Sequence, residues 1–363
     1  MKNIISYAWE NLDTFDKFPF HSVDSLVLSA ISYIHFPDAI PEVATWKGIR
    51  LQELFRAEYF EEMFRNVPLP EDTKKLFIAV AASPRFRDIR VMGYTTQFDQ
   101  NAEKQFSAMT FLVQPGLYYI AYRGTDSTLI GWKEDFNMAF KSPIPSQEEA
   151  VRYMEKAALY CPGKLLTGGH SKGGNLAVYA SAKCRENIQS RIEKIFTHDG
   201  PGFLESTLQS PEFLQISSRI EKTLPQSSVI GMLLEHRAEI LVVKSNSLGL
   251  LQHDHFTWEI EGNHFVYIDH LTKNARFTDK TLTDWLNQIS EEDRERFVDA
   301  LYGVLNANQL TSIDDFLAEW QSAIPATFHA ISQLDGDTKK FILHTLKKLA
   351  SMGIKNVSLF GKE

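Results

Sequence analysis

A serine becomes a useful nucleophile only when a base removes its proton and donors receive the charge that develops. One serine in this chain stands where such an arrangement could begin. Residues Lys164 to Ala180 read as a short apolar strand, a serine set among glycines, and the opening of an amphipathic helix. Within them Gly169-His-Ser171-Lys-Gly173 fits the pattern G-x-S-x-G of a sharp strand-to-helix turn. The spacing has a steric cause. A serine at strained backbone angles leaves its neighbours two residues away too close to the turn to carry side chains. The hydroxyl is then presented at a sheet edge near the positive end of a helix, where an alkoxide or oxyanion is stabilised.

A base must follow. In the chain order serine, acid, histidine, the imidazoles available after Ser171 are His198, His236, His253, His255, His264, His270, His329 and His344. His253 stands out because Gly249 to Trp258 forms a loop between a strand and a terminal hairpin, placed to swing a ring over the serine. His255, two residues on, is its rival. Asp199 is the only aspartate between Ser171 and His253, and it directly follows the strand after the serine's helix. There it either orients the imidazole or simply caps the turn before Gly200-Pro201. Oxyanion donors are expected from Tyr122-Arg-Gly-Thr-Asp126, where Gly124 permits a tight turn. Thr125 N–H and Lys172 N–H form the natural pair.

The elements that must hold these groups fall into three parts. Residues 1–70 read as a helical N-terminal segment packed on the core. Residues 71–275 read as an α/β core, and 276–363 as a helical C-terminal extension. Ser25 to Ile34 is apolar nearly all round, a sign of a helix buried on most sides, and Leu51 to Phe64 resumes an amphipathic pattern. Strands are expected at Leu76–Val80, Ile89–Tyr94, Phe106–Val113 and Leu117–Tyr122, an antiparallel lead-in to a central strand. From about residue 148, helices alternate with strands: a helix over 147–160, a strand over 165–167, a helix over 175–186, then strands at 192–197 and 240–244. The rhythm implies a mostly parallel sheet covered on both faces. Phe256 to Tyr267 reads as a hairpin turning at Glu261-Gly-Asn263. Beyond 275, stripes such as Leu282, Trp285, Leu286 and Ile289 read as helices packed on the body.

Bulk properties exclude some functions. A net charge of −8 argues against nucleic acid as the main partner. The two cysteines, Cys161 and Cys184, show no metal-binding spacing and read as buried thiols of a reducing compartment. No secretory signal and no membrane-length apolar run is visible, so cytoplasm is the expected location, and neither metal nor cofactor is expected.

Two stretches carry a family resemblance. Tyr122 to Asp135 resembles the arginine-glycine-serine/threonine segment, followed by tryptophan and aspartate, of class-three lipases. Gly169-His-Ser-Lys-Gly-Gly174 is similar to their serine turn, and Leu250-Leu-Gln-His253 with Trp258 to their histidine loop. More closely, the chain to about residue 310 resembles a bacterial family of lipase-like proteins named for an Mbeg-like domain of unknown function. The Asp24 to Tyr33 segment and the 249–258 loop both fit it. The resemblance implies an α/β-hydrolase-like fold and a serine hydrolase acting on an ester or thioester. Its substrate would be a small acyl ester or a lipid, approached with transient membrane-surface contact through a cover over 127–145. It implies Ser171 as nucleophile, His253 as base, and Thr125 and Lys172 as oxyanion donors. In those lipases the acid follows the next strand, where this chain has Pro225-Gln-Ser-Ser228 and no carboxylate. Three arrangements follow: Asp199 serves from the neighbouring strand, Gln226 or Ser227 orients His253, or the triad is incomplete and the scaffold binds a ligand or partner without turnover. Lys172 is a second departure, since the lipases carry an uncharged residue there.

Overall fold

The computed structural model describes residues 1–99, 101–126, 141–234 and 237–273 continuously, with scattered further positions between 134 and 347. Its centre is an eight-stranded sheet whose spatial order is the chain order, β1 to β8. These are β1 (Ile49–Arg50), β2 (Arg90–Asp99), β3 (Lys104–Gln114), β4 (Leu117–Tyr122), β5 (Lys164–His170), β6 (Ile192–His198), β7 (Ile220–Pro225) and β8 (Ile240–Val243). Strands β1 to β4 pair antiparallel, and β4 to β8 pair parallel. The antiparallel lead-in and the parallel second half are those the sequence implies.

Sequential order has a consequence for the layers. Each parallel step moves the same way across the sheet, and crossovers are right-handed, so the crossover helices must all fall on one face. They do: α4 (Pro145–Tyr160), α5 (Lys172–Lys183) and α6 (Pro211–Ile216) share a core with the sheet that includes Ile120, Tyr122, Tyr153, Leu176 and Ile195. The opposite face would be bare. It is covered by the N-terminal helices α1 (Ile4–Glu10), α2 (Ser22–Ile31) and α3 (Pro70–Ala82), whose core takes in Leu26, Phe77, Phe111, Tyr119 and Leu166. All ten residues of α2 are buried, which accounts for a helix apolar all round. Two of its three serines, Ser25 and Ser29, bond the Tyr119 hydroxyl beneath them.

Two expectations need correction. Leu76–Val80 is not a strand but the middle of α3, which starts with Pro70 in the first turn and Glu71 and Asp72 behind it. Thr73, Leu76, Phe77 and Val80 are buried at helical spacing, and Ala79 and Ala81 are buried as well, so the short run looks uniformly apolar. Leu51 to Phe64 forms short turns, with one α-helical turn at Phe60–Met63. The 256–267 hairpin is present as β9 (Ile260–Glu261) and β10 (His264–Phe265). Cys161 and Cys184 are buried free thiols, each pushed up to about 12 by burial. Among the described residues no helix is long and apolar enough to cross a membrane, and no group of three metal-binding side chains is assembled. The C-terminal stripes and most of the 127–145 cover lie outside the described residues.

Candidate active site

Ser171 links β5 to α5 at φ 57°, ψ −133°, a conformation that side chains other than glycine's rarely adopt. The flanking glycines show why the strain persists. A Cβ on Gly169 would lie 2.3 Å from the Gly173 carbonyl carbon, and one on Gly173 only 2.1 Å from Tyr122 O. Gly124, on the loop after β4, is just as confined: its Cβ would meet the Tyr33 hydroxyl at 2.1 Å and His170 O at 2.7 Å. Its need is therefore close approach, and the left-handed conformation plays no part there. Thr125 follows it, half-buried. Ser171 itself is buried, with 8% of its surface exposed.

Asp199 arrives through sheet register. His170 of β5 pairs with His198 of β6, so Ser171 and Asp199 leave adjacent strands one residue later, and Ser171 N–H donates to His198 O at 2.9 Å. Asp199 is fully buried and also takes positive φ, 49°. Its Oδ2 accepts from His253 Nδ1 at 2.6 Å. Because a carboxylate can only accept, Nδ1 carries a proton, and in the neutral ring the lone pair then lies on Nε2. The other oxygen, Oδ1, accepts from the Ser228 hydroxyl at 2.5 Å and from Gly231 N–H at 3.2 Å. A Cβ on Gly231 would stand 2.3 Å from that oxygen, so the contact requires glycine.

The empty acid position after β7 is thus filled by a donor, Ser228, which steadies a carboxylate reaching across from β6. Gln226 and Ser227 are engaged elsewhere. Gln226 bonds the backbone of Ser245 in both directions, and Ser227 N–H donates to Gln252 Oε1. That last bond pins the residue before His253. Sequence reasoning missed Ser228 and Gly231; the signal available was the Ser228 hydroxyl standing where a carboxylate was sought.

The histidine loop is latched to the elbow by His170. Its Nε2 faces His253 O at 2.9 Å and its Nδ1 faces the Tyr33 hydroxyl at 3.1 Å. A carbonyl only accepts, so Nε2–H donates and Nδ1 accepts from Tyr33. Burial, followed by the neighbouring His253 and His255 rings, holds His170 well below the usual imidazole range and keeps it neutral. The His170 and His253 ring centroids are 4.6 Å apart, and the His253 side chain is 25% exposed.

His255 occupies a different environment. It is buried, stacked on Tyr33, and neither ring nitrogen has a partner among the described residues. Burial pushes it down to about 3, which leaves it neutral. His198 is likewise pushed to about 3, and ties Thr223 of β7 to Ser25 of α2. The Lys172 side chain is buried and turned to Glu134, with Nζ 3.0 Å from the carboxylate, so the charge that departs from the lipase pattern is paired.

Parallel strands in sequential order, crossover helices on one face and a serine at the strand-to-helix bend define an α/β-hydrolase-like fold. The chain belongs to the Mbeg1-like family, whose model matches residues 80–303. No curated protein matches it. Among solved structures it is similar to native Rhizomucor miehei lipase in its propeptide complex, at 18% identity and a TM-score of 0.36. That match spans 61% of this chain and 66% of the lipase. It is similar too to a fungal lipase–inhibitor complex described as a model for interfacial activation, at 18% identity, 61% and 78% coverage, and a TM-score of 0.38.

Proposed function

We propose that this protein is a serine hydrolase that cleaves carboxylic esters or thioesters through an acyl-enzyme on Ser171. One observation carries the reading. The His253 imidazole donates from Nδ1 to Asp199, which in the neutral ring leaves Nε2 for proton transfer, on a loop fastened to the residue before Ser171. The Ser171 oxygen attacks the acyl carbon while its proton passes to His253 Nε2, and Asp199 balances the imidazolium that results. The developing oxyanion is received by the Thr125 and Lys172 N–H groups. Collapse expels the alcohol or thiol with the proton from His253. Water, deprotonated by the same nitrogen, then releases the acid and frees Ser171. A small acyl ester or a lipid is the proposed substrate. Leu248 and Leu251, 82% and 64% exposed on the approach to His253, favour contact with an apolar surface.

The test is p-nitrophenyl ester hydrolysis by the wild type, Ser171→Ala and His253→Ala. Turnover that falls at least a thousandfold in both variants is expected. Turnover unchanged in either variant, or absent in a well-folded wild type over a range of chain lengths, refutes the reading.

A further inference from the structure

The two proposed oxyanion donors sit on separate pieces of chain, one after β4 and one at the start of α5. Their spacing must be fixed by something other than either turn. Outside the triad, the described residues contain one fully buried polar node that touches both pieces. Glu134, with no exposed surface, accepts four bonds. Its Oε1 takes Ser146 N–H at 2.9 Å; its Oε2 faces the Ser146 hydroxyl at 2.8 Å, Lys172 Nζ at 3.0 Å and Gln105 N–H at 3.2 Å.

Each partner leads to the site. Lys172 supplies one donor through its own backbone, and its Nζ also donates to Gln105 O at 3.0 Å. Gln105, on β3, turns its side-chain carbonyl to Asp126 N–H at 3.3 Å, holding the residue after Thr125. Ser146 lies in the first turn of the 16-residue α4, so the carboxylate also meets the positive end of that helix. The two opposite charges pair within the node, so it adds no net charge beside the serine. A buried pair of this kind is weak evidence for stability, because desolvation offsets much of the attraction. Its geometric effect is firmer: these bonds tie residues 105, 126, 134, 146 and 172 together, so a shift of either chain segment breaks at least one of them.

We infer that Glu134, with Gln105, is a positioning residue that sets the separation of the Thr125 and Lys172 N–H groups. The inference rests on the hydrolase reading above. An oxyanion hole misplaced by about 1 Å loses on the order of a hundredfold in rate, and it loses it for tetrahedral species only. A residue that merely supported the fold would not discriminate in that way.

The double variant Glu134→Gln/Lys172→Met removes both charges together and strands neither, while retaining the residue 172 N–H. For this variant kcat on a p-nitrophenyl ester should fall about a hundredfold with KM within threefold. Affinity for a trifluoromethyl ketone, which forms a tetrahedral oxyanion on Ser171, should fall by the same factor as kcat. Gln105→Ala leaves the ion pair in place and removes the side-chain carbonyl that holds Asp126 N–H. It should lose about tenfold in both quantities, and it carries the test if the double variant does not fold. A folded double variant with kcat within threefold of wild type overturns the inference. So does a loss of kcat with ketone affinity unchanged. A wild type without esterase activity overturns the hydrolase reading itself, and this inference with it.

Discussion

Asp199→Asn is the sharpest perturbation of the site, because the geometry dictates which way the new amide must turn. Two donors, the Ser228 hydroxyl and Gly231 N–H, point at one carboxylate oxygen. The amide carbonyl has to stay there, so its NH2 group faces His253 Nδ1. That nitrogen must then accept, which moves the imidazole proton to Nε2 and leaves no lone pair for the serine. Loss of the correct tautomer in a serine–histidine–aspartate triad costs about 10⁴ in kcat, or about 5.5 kcal/mol of barrier. Both bonds to Ser228 and Gly231 survive, so the melting temperature should move by only a few degrees. Steady-state ester hydrolysis, with calorimetry on the same sample, reads both quantities. A folded Asp199→Asn protein within tenfold of wild-type kcat would show that the 2.6 Å contact does not serve catalysis.

Three further outcomes are expected. Ser228→Ala removes a donor to Asp199 Oδ1 and should lower kcat about tenfold, whereas Gln226→Ala, which disturbs only contacts with Ser245, should stay within threefold; equal losses in initial-rate assays would contradict the assignment. His255→Phe should keep activity within threefold and gain about 1 kcal/mol in urea unfolding, because a ring with two unpartnered nitrogens is replaced by one with none; collapse of activity would make His255 the base. Acid should unfold the protein early. His198 and His255, pushed to about 3 by burial, and His170, also held low, take up protons near 6.5 only when unfolded. Their contribution is therefore whole above pH 6.5 and declines toward about 3, each by about 1.4 kcal/mol per pH unit. The urea midpoint between pH 6.5 and 5.5 measures this, and His255→Phe should flatten it by one group's share; an unchanged slope would mean the ring is not held neutral.

Much of this site is local, and local features can be read from a sequence. The elbow needs glycines at 169 and 173 for reasons of contact, and Asp199 is picked out as the only aspartate in its interval. The helix–strand alternation after residue 148 fixes the strand that each group leaves. What escapes reading depends on distances across the sheet. Ser228 matters because the ends of β6 and β7 lie side by side, and Glu134 because residues 105, 134, 146 and 172 converge. Leu76–Val80 misleads for another reason: a helix buried on most sides hides its period within seven apolar residues. The His170 latch is equally illegible, since its partners Tyr33 and His253 lie 137 and 83 residues away.

The central claim is that one hydroxyl is activated by one imidazole. Peptide mass spectrometry after brief exposure to a fluorophosphonate addresses it directly. Stoichiometric modification of Ser171 in the wild type is predicted, with the rate in His253→Ala lower by at least a thousandfold. An unmodified Ser171 in folded protein, or equal labelling of the two proteins, would contradict the account.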